Sequence, residues 1–253
     1  MLGAGATEIR RANYASKGIY FQAFTSLSTG LERIGKLCLM LDFYIDNQAV
    51  FPDASFMKKE IGHNLELIYD KSLPIIEKRS ISLRSIQKLN DPVHKAIITI
   101  LSEFGRGDRY SNINIVVKDK RQNDPVASWF QHVDQPLYQK YVPQKKKDQI
   151  ELNAKLIDSA LGQFSWVLHT SETGKEVDGL EEASRMTGVW EAVAPFRQLY
   201  VLHVIRFWVE FLRELQYLAM GMGKAEIPYF NEIFVLFSND DSYFKSRKTW
   251  TKL

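Results

Sequence analysis

The chain has 253 residues, a formal net charge of +3 at pH 7, 45% hydrophobic residues and 25% charged residues. This composition is typical of a globular protein and excludes the disordered, collagenous and disulfide-scaffold classes. The single cysteine, Cys38, cannot form an intrachain disulfide, and its apolar neighbours predict a buried thiol.

Long helices are expected in the N-terminal half. Apolar residues recur three and four positions apart, which predicts one long helix over residues 14–47. A second helix is expected over residues 55–70. Asp91 and Pro92 would cap and open a third helix, and one of the two glycines that follow Phe104 would end it.

One stretch has β character. Ile113, Ile115 and Val117 lie at alternate positions, as the apolar residues of a half-buried strand do. A short extended segment is therefore expected near residues 110–118.

The polar, turn-rich run that follows this stretch predicts a boundary between an N-terminal half, residues 1–118, and a C-terminal half, residues 125–253. Apolar periodicity and the positions of Pro and Gly then predict helices at about residues 126–141, 145–170, 190–220, 227–237 and 240–252, with a polar loop over 170–188. The helix over 190–220 is apolar on nearly every side, so it should be central. The predicted fold is all-α, a multi-helix bundle with long first and penultimate helices, whose two halves pack into one compact unit.

The sequence predicts a cytoplasmic protein without a membrane span. Its most apolar stretch, residues 189–222, contains seven charged or histidine residues, whereas a spanning helix needs about 20 nearly uncharged residues. The N-terminal segment has no signal-peptide core of adequate length.

Three polar clusters are candidates for chemistry, and the first lies in the long predicted helix. Glu32 and Lys36 are four residues apart in the order that favours an ion pair on a helix surface. Gly30 and Gly35 are costly inside a helix, which indicates close approach of another element. Glu32 and Lys36 form either a simple ion pair on the surface or, together with Arg33, one wall of a crevice.

The second cluster is Gly62-His63-Asn64, in the second predicted helix. A histidine titrates near neutral pH, so His63 can act as a general base or hold a phosphate. The alternative is a half-buried histidine whose ring is satisfied by a backbone carbonyl.

The third cluster follows the third predicted helix and contains Arg106, Asp108, Arg109, Tyr110 and Asn112. Arginines suit bidentate contacts to phosphate or carboxylate. The alternative is that Arg106 complements the helix dipole while Asp108 pairs with Arg109.

Basic and aromatic residues also mix at the C-terminal end, among them Tyr243, Phe244, Lys245, Arg247 and Trp250. Such a mixture can bind single-stranded nucleic acid through stacking and cationic contacts. The favoured alternative is a C-terminal helix that docks its aromatic rings into the core.

Three segments occur in this order: Ser-Thr-Gly-Leu-Glu-Arg-Ile-Gly-Lys-Leu at 28–37, Gly-His-Asn-Leu at 62–65 and Arg-Tyr-Ser-Asn at 109–112. Together they resemble the HEPN superfamily of helical domains over about residues 20–117. In that superfamily a long opening helix carries a glutamate and a basic residue, and a second helix often begins with a Gly-His-Asp-Leu-like turn. The resemblance implies kinship with metal-independent ribonucleases of toxin and phage-defence systems, whose sites are usually completed by dimerisation.

The chain departs from the superfamily at its usual Arg-x4–6-His motif. The windows after Arg106 and Arg109 contain no histidine, and Asn112 stands in the first of them. An asparagine can orient a 2′-hydroxyl or a phosphate but cannot exchange a proton, and general acid–base catalysis contributes about 10²–10⁴-fold. The resemblance therefore implies a binding domain, unless His63 takes over proton transfer.

Two functions from different classes follow. The first is a HEPN-like protein that binds RNA or a nucleotide, with or without ribonuclease activity, and that uses no metal or other cofactor. Its catalytic residues would be His63, Arg109 and Glu32, and its ligand-binding residues would be Arg33, Lys36, Asn64, Arg106, Asp108, Tyr110 and Asn112. The alternative is a non-enzymatic interaction protein whose long helices pair in a homodimer.

Overall fold

The chain folds almost entirely into helices. The structure, a computed structural model, describes residues 1–56, 58, 62–118, 120, 123–223 and 227–251, without the side chains of Asn112 and Ile115. Within these ranges there is no β-strand, and one isolated bridge joins Thr170 to Glu176. The predicted all-α, multi-helix class is confirmed.

The α-helices of the described residues are α1 (Leu2–Arg11), α2 (Gly18–Asp46), α3 (Ala54–Phe56), α4 (Leu65–Lys78), α5 (Pro92–Arg106), α6 (Ser111–Val116), α7 (Pro125–Trp129), α8 (Gln135–Tyr141), α9 (Gln144–Leu161), α10 (Leu180–Met220), α11 (Phe230–Phe234) and α12 (Asp241–Ser246). A π-helical turn, Phe130–Asp134, joins α7 to α8. Asp91, Asp124 and Asp240 fix helix starts, because each accepts hydrogen bonds from backbone N–H groups of the first turn.

The axis of the fold is α10, which is 41 residues long and packs against α1, α2 and α9. Every residue from 197 to 212 is buried, as the apolar pattern around this helix predicts. One hydrophobic core runs from Leu2 to Trp250 and takes side chains from both halves of the chain. Among the helices within the described ranges, none has the length and apolar character that crossing a bilayer requires.

A helix that the sequence pattern does not predict, α1, covers one face of α2. Its close packing depends on Gly5, because an added Cβ there would lie 2.5 Å from Leu27 Cγ. The backbone N–H of Trp250 donates to Thr7 Oγ1 at 2.8 Å, so α1 also holds the C-terminal segment. The long predicted helix begins at Gly18, as α2, rather than at residue 14.

The second predicted helix, over residues 55–70, is wrong in its boundaries. Gly62 adopts a left-handed conformation with φ of +56°, and Asn64 caps α4 by accepting a hydrogen bond from a backbone N–H of the first turn. The helix α4 therefore starts and ends later than predicted. Residues 57 and 59–61 of the prediction lie outside the described residues.

The extended segment expected near residues 110–118 is also wrong. Asp108–Tyr110 forms a 3₁₀ turn, and α6 follows it directly. Ile113 and Val117, two of the alternating apolar residues, are exposed. Since they do not line a buried face, their alternation carries no information about a strand.

Several helix boundaries in the C-terminal half differ from prediction, most of all the end of α9 and the start of α10. The helix α9 ends at Leu161 rather than 170, and α10 begins at Leu180 rather than 190. The loop between them, residues 162–179, is therefore about nine residues earlier than expected and almost as long.

The aromatic residues of the C-terminal end belong to the core. Phe244 and Trp250 are buried, which confirms the docking alternative for these rings. The last helix ends at Ser246, and Lys252 lies outside the described residues.

Candidate functional site

Three predicted site residues meet on one surface of α2, called here the Glu32–His63 surface: Glu32, Lys36 and His63. Glu32 Oε1 accepts a hydrogen bond from Lys36 Nζ at 2.6 Å and lies 2.9 Å from His63 Nδ1, which comes from the turn before α4. The His63 side chain is 75% exposed, whereas those of Glu32 and Lys36 are mostly covered. An accessible histidine ring therefore reaches over a partly buried ion pair.

Two glycines set the packing on either side of this surface. An added Cβ at Gly30 would lie 2.7 Å from a leucine side chain of α1, and one at Gly35 would lie 2.5 Å from Ile68 Cγ2 of α4. Both helices therefore press directly on the α2 backbone, as glycines inside a helix indicate. The approach of α4 at Gly35 brings His63 within reach of Glu32.

Asn64 ties the same turn to α5. Its Oδ1 accepts hydrogen bonds from the Leu67 N–H at 3.1 Å and from Ser102 Oγ at 3.0 Å. Beside it, Thr99 Oγ1 donates to Glu66 Oε1 at 2.7 Å. Asn64, predicted as a ligand-binding residue, thus fixes the turn that presents the histidine.

The third predicted cluster lies at the C-terminal end of α5, about one turn beyond Ser102. Asp108 is buried, whereas Arg106, Arg109 and Tyr110 are exposed. The Arg109 guanidinium lies 5.2 Å from the centroid of the Tyr110 ring. Because Ser102 bonds to Asn64, α5 packs beside the turn that carries the histidine, one turn before this cluster.

Two predicted residues do not join these clusters. Arg33 is exposed on another side of α2, where it lines a cavity with Gly30 and Phe237. The side chain of Asn112 lies outside what the structure describes.

The pairing of His63 with Glu32 has a geometry suited to proton transfer. When Nδ1–H donates to the carboxylate, Nε2 is the basic nitrogen, and the carboxylate holds the ring in place. Lys36 adds a positive charge beside this carboxylate. Within the described ranges, no group of three or more His, Cys, Asp or Glu could hold a metal ion.

A second site, which no sequence motif marks, is a cavity of about 460 Å³ between α8 and α10, called here the α8–α10 cavity. On its wall, Arg197 Nη2 donates to Asp134 Oδ2 at 2.6 Å, and Arg197 Nη1 donates to the Ala12 carbonyl at 2.6 Å. Glu172, in the loop before α10, is also buried on this wall. Three charged groups are thus enclosed beside a space that a small molecule fits.

Burial changes the acidity of these groups. It raises the pKa of Asp134 to about 6, although Arg197 opposes the shift, and it raises the pKa of Glu172. Burial also raises the pKa of Tyr20, whose hydroxyl donates to Asp134 at 3.4 Å. Carboxyl groups with raised pKa values beside a cavity are typical of functional sites.

The sequence carries only a weak signal for this cavity. Arg197 is a charged residue within an apolar helix, and a fully buried charge requires a partner. The partner, Asp134, is 63 residues away in the chain and lies in a π-helical turn. Helical periodicity predicts neither the turn nor the pairing.

A further polar cluster, the His94–His203 cluster, is buried about two turns along α10 from Arg197. His94 Nε2 lies 3.2 Å from His203 Nδ1, and His203 Nε2 lies 3.1 Å from Asp241 Oδ1. Burial, reinforced by the neighbouring His203, lowers the pKa of His94 to about 4, and burial also lowers the pKa of His203. Both rings are therefore neutral at pH 7, and they join α5 and α12 to α10.

The chain matches no protein-family model, no curated protein and no solved structure. Its function is therefore inferred from the geometry of these clusters and from the motifs that carry the HEPN resemblance.

Proposed function

We propose that the chain binds RNA at the Glu32–His63 surface and that His63 cleaves it without a metal ion. The observation that supports this is the 2.9 Å approach of His63 Nδ1 to Glu32 Oε1 beside Lys36. Metal-independent cleavage needs a base that takes the 2′-hydroxyl proton as this oxygen attacks the phosphorus, a positive charge near the phosphate, and a proton for the 5′-oxygen when its bond to phosphorus breaks. In this step His63, held by Glu32, would take the proton and return it to the 5′-oxygen, and Lys36 would supply the positive charge.

The end of α5 would extend the binding surface. Arg106 and Arg109 would hold phosphates, and the exposed ring of Tyr110 would stack on a base. In this proposal His63 performs the proton transfer that the histidine of the HEPN motif would otherwise perform.

The test is cleavage and binding of labelled single-stranded RNA and transfer RNA with EDTA present. We expect His63→Ala to lower cleavage by about 10²-fold or more and Arg109→Ala to weaken binding. His132→Ala removes another exposed histidine, far along the chain in the π-helical turn, and should behave as the wild type.

The cleavage and binding results distinguish catalysis by His63 from RNA binding through Arg109. Cleavage that is unchanged in both His63→Ala and Arg109→Ala would contradict the catalytic assignment. Binding that depends on Arg109 without cleavage would restrict the function to RNA binding. The absence of both activities would overturn the proposal.

A separate observation favours a second function, self-association. A contiguous part of the chain, called here the α9 surface, exposes Leu152, Leu156, Ile157, Leu161, Phe164, Trp166 and Leu168. Phe164 and Trp166 are 80% and 88% exposed, and two such rings present roughly 300–400 Å². The exposed aliphatic side chains add further apolar area, and a stable dimer buries about 800 Å² per partner. The partner that we propose is a second copy of this chain.

Light scattering after size exclusion tests this pairing. We expect twice the mass of one chain for the wild type and the mass of one chain for the double variant Leu156→Glu/Trp166→Ser. Val235→Glu, at an exposed apolar position elsewhere, is the matched control and should stay dimeric. A wild-type monomer at all concentrations would contradict self-association.

A further inference from the structure

We propose that the α8–α10 cavity binds a flat heterocycle whose edge carries neighbouring hydrogen-bond donors and acceptors, the chemistry of a nucleobase or nucleoside. The cavity shares no residue with the Glu32–His63 surface, so this site stands independently of the proposed RNA cleavage. Its unmatched polar atoms and its aromatic wall support this class of ligand, and the π-helical turn on its wall is typical of a functional site.

Three buried polar atoms on side chains that line the cavity make no hydrogen bond within the described part of the chain. They are Asp134 Oδ1, Arg197 Nε and Trp190 Nε1. The indole N–H of Trp129 is near enough to lower the pKa of Asp134 but completes no hydrogen bond to Oδ1. Since an unsatisfied buried polar group destabilises the protein, a ligand edge that donates to Asp134 and accepts from the other two gains affinity.

The rest of the wall favours a flat aromatic ring. Phe130, Tyr138 and Trp190 contribute rings, and Met186 and Val189 contribute aliphatic surface. Offset aromatic pairs attract each other beyond the burial of their area. The volume of about 460 Å³ lies within the range of small-molecule sites and accommodates a base with its ribose.

One irregularity of the helical backbone lies on the cavity wall, and a second lies close to it in α10. The π-helical turn places both its first residue, Phe130, and its last, Asp134, on the wall, and such turns are frequent at functional sites. Pro195, inside α10 and two residues before Arg197, cannot donate to the carbonyl one turn earlier. A purely structural ion pair between Asp134 and Arg197 requires neither irregularity.

The charged side chains on the cavity wall favour an uncharged ligand over a phosphorylated one. Two carboxyl groups, Asp134 and Glu172, lie on the wall, and Arg197 is already bonded to Asp134 and to backbone carbonyls. Arg185, at the rim, lies 3.9 Å from the carboxylate of Glu182. A phosphate group with a charge near −2 would therefore meet carboxylates whose balancing cations are engaged.

The test is isothermal titration calorimetry of the full chain with guanosine, adenosine and uridine. Indole serves as a ring without an acceptor edge, and guanosine monophosphate serves as the phosphorylated form. Val189→Trp fills the cavity from α10 without replacing Asp134 or Arg197. Leu218→Trp introduces the same side chain at an exposed position of α10. Melting temperatures confirm that each variant is folded.

We expect at least one nucleoside to bind, with affinity lowered at least about tenfold in Val189→Trp and unchanged in Leu218→Trp. Indole and the monophosphate should bind more weakly than that nucleoside. The proposal is overturned if no nucleoside binds at millimolar concentration, if indole binds equally well, or if binding survives in Val189→Trp.

Discussion

Two charge clusters of this chain contain similar groups in opposite environments. At the α8–α10 cavity, the side chains of Arg197 and Asp134 are only 1% and 3% exposed, and burial raises the pKa of the carboxyl group to about 6. At the Glu32–His63 surface, the histidine ring is open to solvent, and the side chains of the ion pair beneath it remain about 20% exposed. Removal of a charge from the buried cluster should therefore destabilise the fold. The charged groups of the exposed cluster are instead accessible to a ligand.

The variant with the largest expected effect on stability is Arg197→Ala. The change leaves Asp134 without its cation and the Ala12 carbonyl without its donor, and removal of one partner of a buried pair costs about 3–5 kcal/mol. Urea unfolding measures the loss. Arg11→Ala removes an exposed partner of Glu8 and should cost less than about 1 kcal/mol. Equal losses in the two variants would contradict the distinction.

The next largest expected effect is the contribution of the His94–His203 cluster to the pH dependence of stability. The pKa of His94 is about 4 in the folded chain against an ordinary 6.5. As pH falls through this window the unfolded chain binds the proton first, so stability falls by up to about 3 kcal/mol. Asp134 acts in the opposite direction, because its folded pKa of about 6 lies above its ordinary 3.8.

Melting temperatures measured from neutral pH down to about pH 4 report the sum of these effects. We expect acid to lower the melting temperature less, or raise it more, in His94→Phe than in the wild type, because that variant has no proton to bind at this position. An unchanged slope in His94→Phe would show that another group sets the acid sensitivity.

A smaller effect is expected from Gly35→Ala, which tests whether packing positions the exposed cluster. The new Cβ would lie 2.5 Å from Ile68 Cγ2, and overpacking costs about 1–3 kcal/mol. Displacement of α4 would also move His63 from Glu32, so RNA cleavage should fall together with the free energy of unfolding.

Gly105→Ala in α5 is the matched control. Its nearest neighbour would be Ser28 Cβ at 3.9 Å, so alanine should raise stability by up to about 1 kcal/mol. Urea unfolding compares the two variants, and equal losses in both would show that close packing at Gly35 is not the cause.

The smallest effect on stability is expected from Glu32→Gln, at less than about 1 kcal/mol. The amide no longer anchors a protonated Nδ1 as a carboxylate does, so RNA cleavage should fall while the fold is preserved. Unfolding and cleavage are measured on the same preparation. A stability loss as large as that of Arg197→Ala would show that the exposed cluster is structural.

Helices with local start and stop signals could be predicted from the sequence. The helix α5 begins after Asp91 and is followed by Gly107, as expected, because capping residues act on their own helix. The helix α6 could not be predicted, since Ile113 and Val117 alternate as in a strand but are exposed. Apolar spacing indicates the type of element only where a core collects those side chains.

The contacts within the candidate sites also divide into local ones, which the sequence predicts, and tertiary ones, which it does not. The contact of Lys36 with Glu32 follows from their spacing on one helix. The approach of His63 depends on how α4 packs at Gly35, which is a tertiary feature. The pairing of Arg197 with Asp134 passes through a π-helical turn, and single-sequence periodicity carries no mark of that turn.

The contact between α1 and the C-terminal segment has a consequence for synthesis on the ribosome. Thr7 bonds to Trp250, and Arg10 donates to the Lys245 carbonyl, across separations of 243 and 235 residues. At about 5–20 residues per second, these partners of α1 emerge roughly 12–50 s after it does. Until then α1 can pack only on α2 and, once it has been made, on α10, so the side of α1 that the C-terminal segment covers stays open until the end of synthesis.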